Sequence, residues 1–330
     1  MSAHTLSTRI PFLDGWRAVS VFLVMIGHGL GALNLPSSGL PDISKLGVYI
    51  FFAISGYVIT RTSLAEREKT GRFSQRNFML RRALRILPPL VLYVAFIVLV
   101  GSIAPQNWQA PIRALSFTCN MDIPFGSCGW VFGHLWSLAF EEQFYLLFPF
   151  LFLRKFSLFA VAAFVFALLP LVFDVRWIGQ LTYLQAVTLL TLGCLYAGFQ
   201  VWVDAALRKV PAPFILLVTA FAVFWLALEV GPLRLLTAPL LPVAILVMTF
   251  ELPKRIKLIH AVLSSWPLTQ IGLYSYSIYL WQQYFLMPGS ATSIFSVGIS
   301  ILFVTGLAAI SYHSYEAFFR NAARKLMPQE

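Results

Sequence analysis

The stretch WRAVSVFLVMIGHGLGAL, residues 16–33, is almost entirely apolar, although it contains Arg17 and His28. About 20 apolar residues make a helix long enough to cross the hydrocarbon core of a bilayer. The run is too continuous for a strand of a membrane barrel, in which apolar residues alternate over about ten positions. The whole 330-residue chain is 59% hydrophobic and 11% charged. This composition predicts an all-α integral membrane protein and excludes a soluble enzyme, a disordered chain and a secreted disulfide scaffold.

Similar runs recur along the chain and predict about ten transmembrane helices. They cover residues 16–33, 46–61, 84–103, 134–153, 156–173, 180–200, 212–229, 233–250, 270–286 and 294–314. Neither an internal repeat nor a long linker divides them. We therefore expect one transmembrane domain over residues 1–330, with no appended esterase-like domain and with an uncleaved first span.

The net charge of +11 predicts the orientation of these spans. The loops on one side carry 20 of the 24 Lys and Arg residues, and the other loops hold only Lys45, Arg113, Arg176 and Arg234. Because basic residues gather in cytoplasmic loops, both termini are expected in the cytoplasm. A nucleic-acid partner is not expected, since no basic run is interleaved with stacking aromatic residues.

The outer loop of about 104–133 contains Cys119 and Cys128. An oxidising compartment would permit a disulfide between them, and nine residues of spacing are compatible with one. Two free thiols in a packed loop are the alternative. Cys194 lies within the sixth span and is expected to be a packing residue.

Ionisable side chains within the spans mark candidate functional positions, because each costs about 2.5–3.5 kcal/mol at the bilayer centre on insertion scales. Arg17 and His28 are eleven residues apart, which places them on one helix face about 16 Å apart. A buried imidazole can accept a proton from a hydroxyl and return it to a leaving group. A helix-capping histidine near the outer interface is the alternative.

Arg82 and Arg85 are three residues apart at the cytoplasmic entry of the third span, so they are neighbours on one helix face. Paired guanidinium groups suit the phosphates of a nucleotide-bearing ligand. A topology signal, or contact with anionic lipid headgroups, is the alternative.

Glu141 and Glu142 lie in the fourth span, where His134, Ser137 and Glu141 form a polar stripe on one helix face. Adjacent residues diverge by 100°, so we expect only one carboxylate to face a shared cavity and the other to find its own partner. Structural contacts between helices are the alternative function of this stripe.

Two further features are a carboxylate near the C-terminus and a pair of small residues in the second span. Glu316, at the end of the last span, is expected either to pair with an arginine or to be a plain interfacial carboxylate. Ser55 and Gly56, in the second span, are small enough to permit close helix approach.

Together these segments resemble the membrane acyltransferase-3 family, the bacterial O-acyltransferases. The resemblance rests on five ordered segments: FLDGWRAVSVFLVMIGH at 12–28, FFAISGYVIT at 51–60, RRALRILP at 81–88, HLWSLAFEEQFYLLFP at 134–149 and YSYSIYLW at 274–281. It departs from the family at Gln282, where a histidine is frequent, and at Ala317, where a proline-containing ending is usual. The first departure suggests a different acceptor pocket.

The resemblance implies transfer of an acyl group, most often acetyl, from cytoplasmic acyl-CoA to a hydroxyl of an extracytoplasmic glycan or glycolipid. His28 would be the general base, with Glu141 or Glu142 orienting it or handling protons. Acyl-CoA would be bound by Arg17, Arg82 and Arg85. The supporting residues would be Asp14, Trp136, Ser137 and Glu316.

Further expectations concern the co-substrate, the location and the acceptor. Acetyl-CoA is expected as a co-substrate, without a permanently bound cofactor or a metal, and the location is the bacterial inner membrane. A small hydroxylated acceptor such as a macrolide is a second enzymatic reading. A proton-coupled transporter is a different class, disfavoured by the absence of an inverted repeat.

Overall fold

A computed structural model of the chain describes residues 9–35, 43–103, 107–121, 128–154, 181–228 and 240–326. All regular elements in these ranges are helical, which confirms the all-α prediction there. The helices are α1 (Pro11–Ala32), α2 (Ile43–Thr70), α3 (Gln75–Leu99), α4 (Ala110–Leu115), α5 (Gly129–Gly133), α6 (Leu135–Arg154), α7 (Leu181–Gly198), α8 (Gln200–Leu207), α9 (Ala212–Leu228), α10 (Leu240–Leu246), α11 (Leu252–Arg255), α12 (Lys257–Leu263), α13 (Trp266–Phe285), α14 (Ile294–His313) and α15 (Tyr315–Leu326). A π-helical segment, Val247–Glu251, joins α10 to α11.

Four stretches are long and apolar enough to cross a membrane: α1, α2, α3 and the segment Ile294–Lys325, which combines α14 and most of α15. The pair formed by α7 and α8, bent by 90°, would make a fifth if it counts as one span. The predicted span 156–173 and the beginning of the span 233–250 lie outside the described residues. The structure therefore supports a membrane protein with four or five spans among the described residues, and the number ten stays a prediction.

Helix α1 packs extensively against two helices, α2 and α13. Helix α2 continues the packing onto α7, and α13 continues it onto α14. The amphipathic α15 packs against α3. Helix α6, which carries Glu141 and Glu142, packs against α2 and α7.

The contact between α2 and α7 depends on two glycines. The Cα of Gly56 faces the carbonyl oxygen of Leu190, and the Cα of Gly193 faces that of Ala53, so a side chain at either position would collide with backbone. The prediction that Gly56 permits close approach is therefore confirmed. In lipid no hydrophobic force drives helices together, so close van der Waals packing of this kind stabilises their association.

We predict that Gly56→Leu or Gly193→Leu prevents folding or lowers stability by at least about 2 kcal/mol, since backbone atoms cannot yield as a flexible side chain can. Thermal unfolding of detergent-purified protein measures the effect. Gly306→Leu on α14 is the matched control, because no atom lies within 4 Å of the position that its Cβ would occupy. Equal stability of the three variants would contradict the packing argument.

The predicted outer loop contains a disulfide between Cys119 and Cys128, whose Cα atoms are 5.7 Å apart. The bridge joins the end of the α4 segment to the start of α5. Arg113, in α4, is buried and donates to the carbonyl oxygens of Thr118 and Met121. Cys194 is a buried free thiol, as expected of a packing residue.

Candidate active site

Arg82 is the centre of a charged cluster between α3 and α6. Its Nε donates to Glu142 Oε1 at 2.6 Å, and its Nη2 lies 3.1 Å from Glu141 Oε1. The three side chains are largely buried, with exposures of 17% for Arg82, 22% for Glu141 and 12% for Glu142. The expectation of separate partners for the two carboxylates is wrong, because the planar guanidinium fork presents several donors and reaches both.

Glu141 is held by three helices. Its Oε1 accepts hydrogen bonds from Ser55 Oγ on α2 and from Tyr145 OH one turn further along α6, both at 2.6 Å. The guanidinium carbon of Arg82 lies 3.5 Å from the centroid of the Tyr145 ring, a cation–π contact. These contacts fix the position of the carboxylate and of the guanidinium together.

Arg17 approaches the same cluster from α1. Its Nη1 is 3.5 Å from Asp14 Oδ1, and the buried Asp14 also accepts from Arg9 Nε at 2.6 Å. Arg17 also interacts electrostatically with Glu141 and with Arg85. Arg85 itself is exposed, unlike Arg82 one turn before it. The structure thus brings the three predicted arginines together. Arg82 and Arg17 have carboxylate partners, whereas Arg85 is exposed.

His28 lies in the same helix as Arg17, eleven residues further along α1. Its Nδ1 is 2.7 Å from Oε1 of Gln282, on α13, and its ring meets the edge of Trp130, on α5, with centroids 5.3 Å apart. The two glutamates make their hydrogen bonds to Arg82, Ser55 and Tyr145 instead. Gln282, which the sequence analysis noted only as a departure from the family pattern, is therefore a hydrogen-bond partner that orients His28.

Ser137 connects α6 to α13. Its hydroxyl is 2.6 Å from Tyr279 OH, which donates to the carbonyl oxygen of His134. The His134 ring is buried against Tyr93 and Tyr279, and in the described part of the chain neither ring nitrogen has a hydrogen-bond partner. Trp136 packs its ring against Phe52 of α2 at 6.0 Å. Ser137 and Trp136 therefore support helix packing around His134.

Glu316 lies apart, at the junction of α14 and α15. Its Oε1 accepts from Ser277 Oγ at 2.5 Å and from Ser311 Oγ at 3.1 Å, and its Oε2 is 3.8 Å from Arg320 Nη1. The expected arginine partner is present, but the two hydroxyl groups make the shorter contacts. Glu316 is placed to join α13, α14 and α15.

Comparison with known proteins identifies the family. The family described as "acyltransferase domain" (Acyl_transf_3) matches residues 10–314. The chain belongs to the acyltransferase-3 family. The resemblance inferred from the five motifs is therefore confirmed, and with it the assignment to acyltransferases.

Two relatives of this acyltransferase-3 chain are O-acetyltransferase OatA from Staphylococcus aureus strains NCTC 8325 and COL. Each is 30% identical to it over 96% of this chain and 58% of the relative. The chain thus spans less than two thirds of the length of these relatives. No solved structure matches it.

Three elements of the site were not found by sequence reasoning. Ser55 was assigned to packing alone, although a polar residue in an apolar helix is also a potential partner for a buried carboxylate. Tyr145 follows Glu141 by four residues, and this helical spacing was a usable signal. Gln282 carried no local signal for its contact, because His28 is 254 residues away.

We predict that Arg82→Gln lowers the free energy of unfolding by about 2–4 kcal/mol, since it leaves two largely buried carboxylates without their cation. Thermal unfolding in detergent measures this loss. Arg85→Gln serves as the comparison and is expected to change stability little, because Arg85 is exposed.

Adding Glu142→Gln to Arg82→Gln should recover part of the lost stability by removing one uncompensated carboxylate. An Arg82→Gln variant as stable as the unmodified protein would contradict this account of the cluster.

Proposed function

We propose that the chain is a membrane O-acetyltransferase, which moves an acetyl group from cytoplasmic acetyl-CoA to a hydroxyl of an extracytoplasmic glycan or glycolipid. The observation that carries the proposal is the arrangement along α1. His28, held through Nδ1, lies about three helical turns along α1 from Arg17, which interacts electrostatically with Arg85 and with Glu141, the partner of Arg82. The names of the OatA relatives support acetyl as the group transferred.

The proposed setting is one domain of ten transmembrane helices over residues 1–330, in a bacterial inner membrane, with both termini in the cytoplasm. The distribution of basic residues supports this orientation. It puts Arg17, Arg82 and Arg85 near the cytoplasmic surface and His28 in the outer half. The disulfide-bonded loop then lies on the oxidising side, where such a bond persists.

The proposed binding site for acetyl-CoA would use the arginines that Glu141 and Glu142 do not neutralise. Arg82 is neutralised by Glu141 and Glu142, so its main contribution would be to hold the cluster in place. The exposed Arg85 is available to the phosphates of CoA, and Arg17 would add positive potential at the mouth. The slim pantetheine arm would then extend toward His28. The predicted catalytic roles of Glu141 and Glu142 become, in this proposal, positioning and charge balance.

In the proposed reaction His28 acts as general base without a covalent acyl-enzyme. The acceptor oxygen attacks the thioester carbonyl carbon while its proton passes to the imidazole. The carbon–sulfur bond then breaks, and the CoA thiolate takes the proton from the imidazolium as it leaves. General acid–base catalysis of this kind contributes about 10²- to 10⁴-fold to a rate.

A cavity of about 140 Å³ lies on the proposed outer side and supports acceptor entry from there. It is lined by residues of the disulfide-bonded loop, by Trp130 and by Met287. Because the Trp130 ring also meets His28, the cavity and the proposed base share a wall. A small hydroxylated metabolite remains the second candidate acceptor, since a cavity of this size does not require a polymer.

We predict that His28→Ala reduces transfer of labelled acetyl from acetyl-CoA to a hydroxyl acceptor by about 10²- to 10⁴-fold. Protein purified in nanodiscs, with binding of labelled acetyl-CoA measured in parallel, separates chemistry from binding. Retained binding with lost transfer supports the proposed base. Undiminished transfer would exclude His28, and no acetyl-CoA binding by the unmodified protein would favour the transporter.

We also predict that Arg85→Gln raises KM for acetyl-CoA about two- to five-fold while kcat changes little, because an exposed cation adds modest binding energy. The increase should shrink at high salt, which screens exposed charges. Arg208→Gln is the matched control, an exposed arginine outside the proposed site. Equal effects of the two substitutions would contradict a role of Arg85 in binding acetyl-CoA and would leave it only as a residue that sets membrane topology.

A further inference from the structure

Gln282 is completely buried and contacts His28 through a side chain that is itself held on two sides. Its Oε1 is 2.7 Å from His28 Nδ1. Its Nε2 donates to Gln283 Oε1 at 3.2 Å and more weakly to the carbonyl oxygen of Tyr279 at 3.4 Å. Gln283 in turn donates from Nε2 to the carbonyl oxygen of Trp130 at 2.8 Å.

These contacts determine which way each amide faces. The carbonyl oxygen of Trp130 can only accept, so the Gln283 atom next to it must be the nitrogen, and Gln283 Oε1 must point at Gln282. An oxygen of Gln282 in that position would face two acceptors, Gln283 Oε1 and the carbonyl oxygen of Tyr279. The amide nitrogen of Gln282 therefore points there, and its oxygen points at His28.

An amide oxygen facing Nδ1 can only accept a hydrogen bond, so Nδ1 must carry the proton. We infer that Gln282 is a positioning residue that fixes neutral His28 as the Nδ1–H tautomer, with the lone pair on Nε2. The order of donors runs from the imidazole through Gln282 and Gln283 to the backbone of α5. The backbone of the disulfide-bonded segment thereby determines which nitrogen of His28 accepts a proton.

Only the catalytic role of Nε2 rests on the proposed function, in which Nε2 would be the nitrogen that accepts the proton of the acceptor hydroxyl. The assignment of the tautomer rests on the hydrogen bonds of Gln282 and Gln283, not on the proposed reaction. Trp130 adds a second contact between α5 and α13, because its Nε1 donates to the carbonyl oxygen of Gln283 at 2.9 Å. The ring of the same residue contacts His28.

The test is nitrogen NMR of protein labelled with ¹⁵N-histidine in nanodiscs, with the His28 signals assigned by their absence in His28→Ala. At a pH where His28 is neutral, the expected spectrum shows a protonated Nδ1 and an unprotonated Nε2. Gln282→Leu should convert this signature to a mixture of tautomers or to the Nε2–H form. An Nε2–H signature in the unmodified protein would overturn the inference, as would an Nδ1–H signature unchanged by Gln282→Leu.

Gln185→Leu is the matched control, because Gln185 is also buried in a helix, α7, and accepts from the hydroxyl of Tyr49, on α2. It should leave the His28 signature unchanged, and a change equal to that of Gln282→Leu would overturn the specific role of Gln282. In the transfer assay Gln282→Leu should lower kcat roughly 5- to 100-fold with little change in KM for acetyl-CoA. A wild-type protein with the expected spectrum but no acetyl transfer would refute the proposed function and leave the tautomer assignment standing.

Discussion

The largely buried guanidinium of Arg82 lies between two carboxylates, and this contact constrains how α3 and α6 meet. Charges of this kind are tolerated among lipid-embedded helices only when they compensate one another. Two adjacent glutamates impose a stricter condition than one, because their side chains leave the helix in different directions. A single flexible amine would not bridge them as a planar fork does, since its donors radiate from one point. Tyr145 and Ser55 then occupy remaining positions around the cation and around Glu141.

Helix α1 relates this cluster to His28 in a way that a loop could not. Eleven helical residues separate Arg17 from His28 by a fixed length on one face, and α1 packs against both α2 and α13 over this length. A ligand bound through its anionic end near Arg17 and Arg85 would therefore meet the imidazole only with an atom about 16 Å away. That condition selects for an extended molecule with charge at one end and reactivity at the other. The proposed donor has this form, whereas a compact ion or solute does not.

The sequence was sufficient for features that depend on composition and local spacing. Continuous apolar runs predicted helices, and Gly56 predicted a close approach that its contact with Leu190 confirms. The arginines and glutamates that meet in the charged cluster were also found, because an ionisable residue in an apolar run needs a reason to be there. Their pairing was not found, since residue 82 and residues 141 and 142 come from helices whose mutual rotation the sequence does not state. The contacts of Glu316 with two serine hydroxyls were not found for the same reason, although its pairing with an arginine was one of the two expectations.

An amide at position 282 has a physical consequence that a charged or titrating partner of His28 would not have. A carboxylate would place another negative charge among apolar helices and would stabilise the imidazolium, which is the wrong state for accepting a proton. A second imidazole could face His28 either as donor or as acceptor, so it would leave the tautomer undetermined unless further contacts fixed its own. A glutamine anchored by Gln283 and by the carbonyl oxygen of Tyr279 adds no charge and has one allowed orientation. It therefore specifies the protonated nitrogen of His28 while leaving the net charge of the site unchanged.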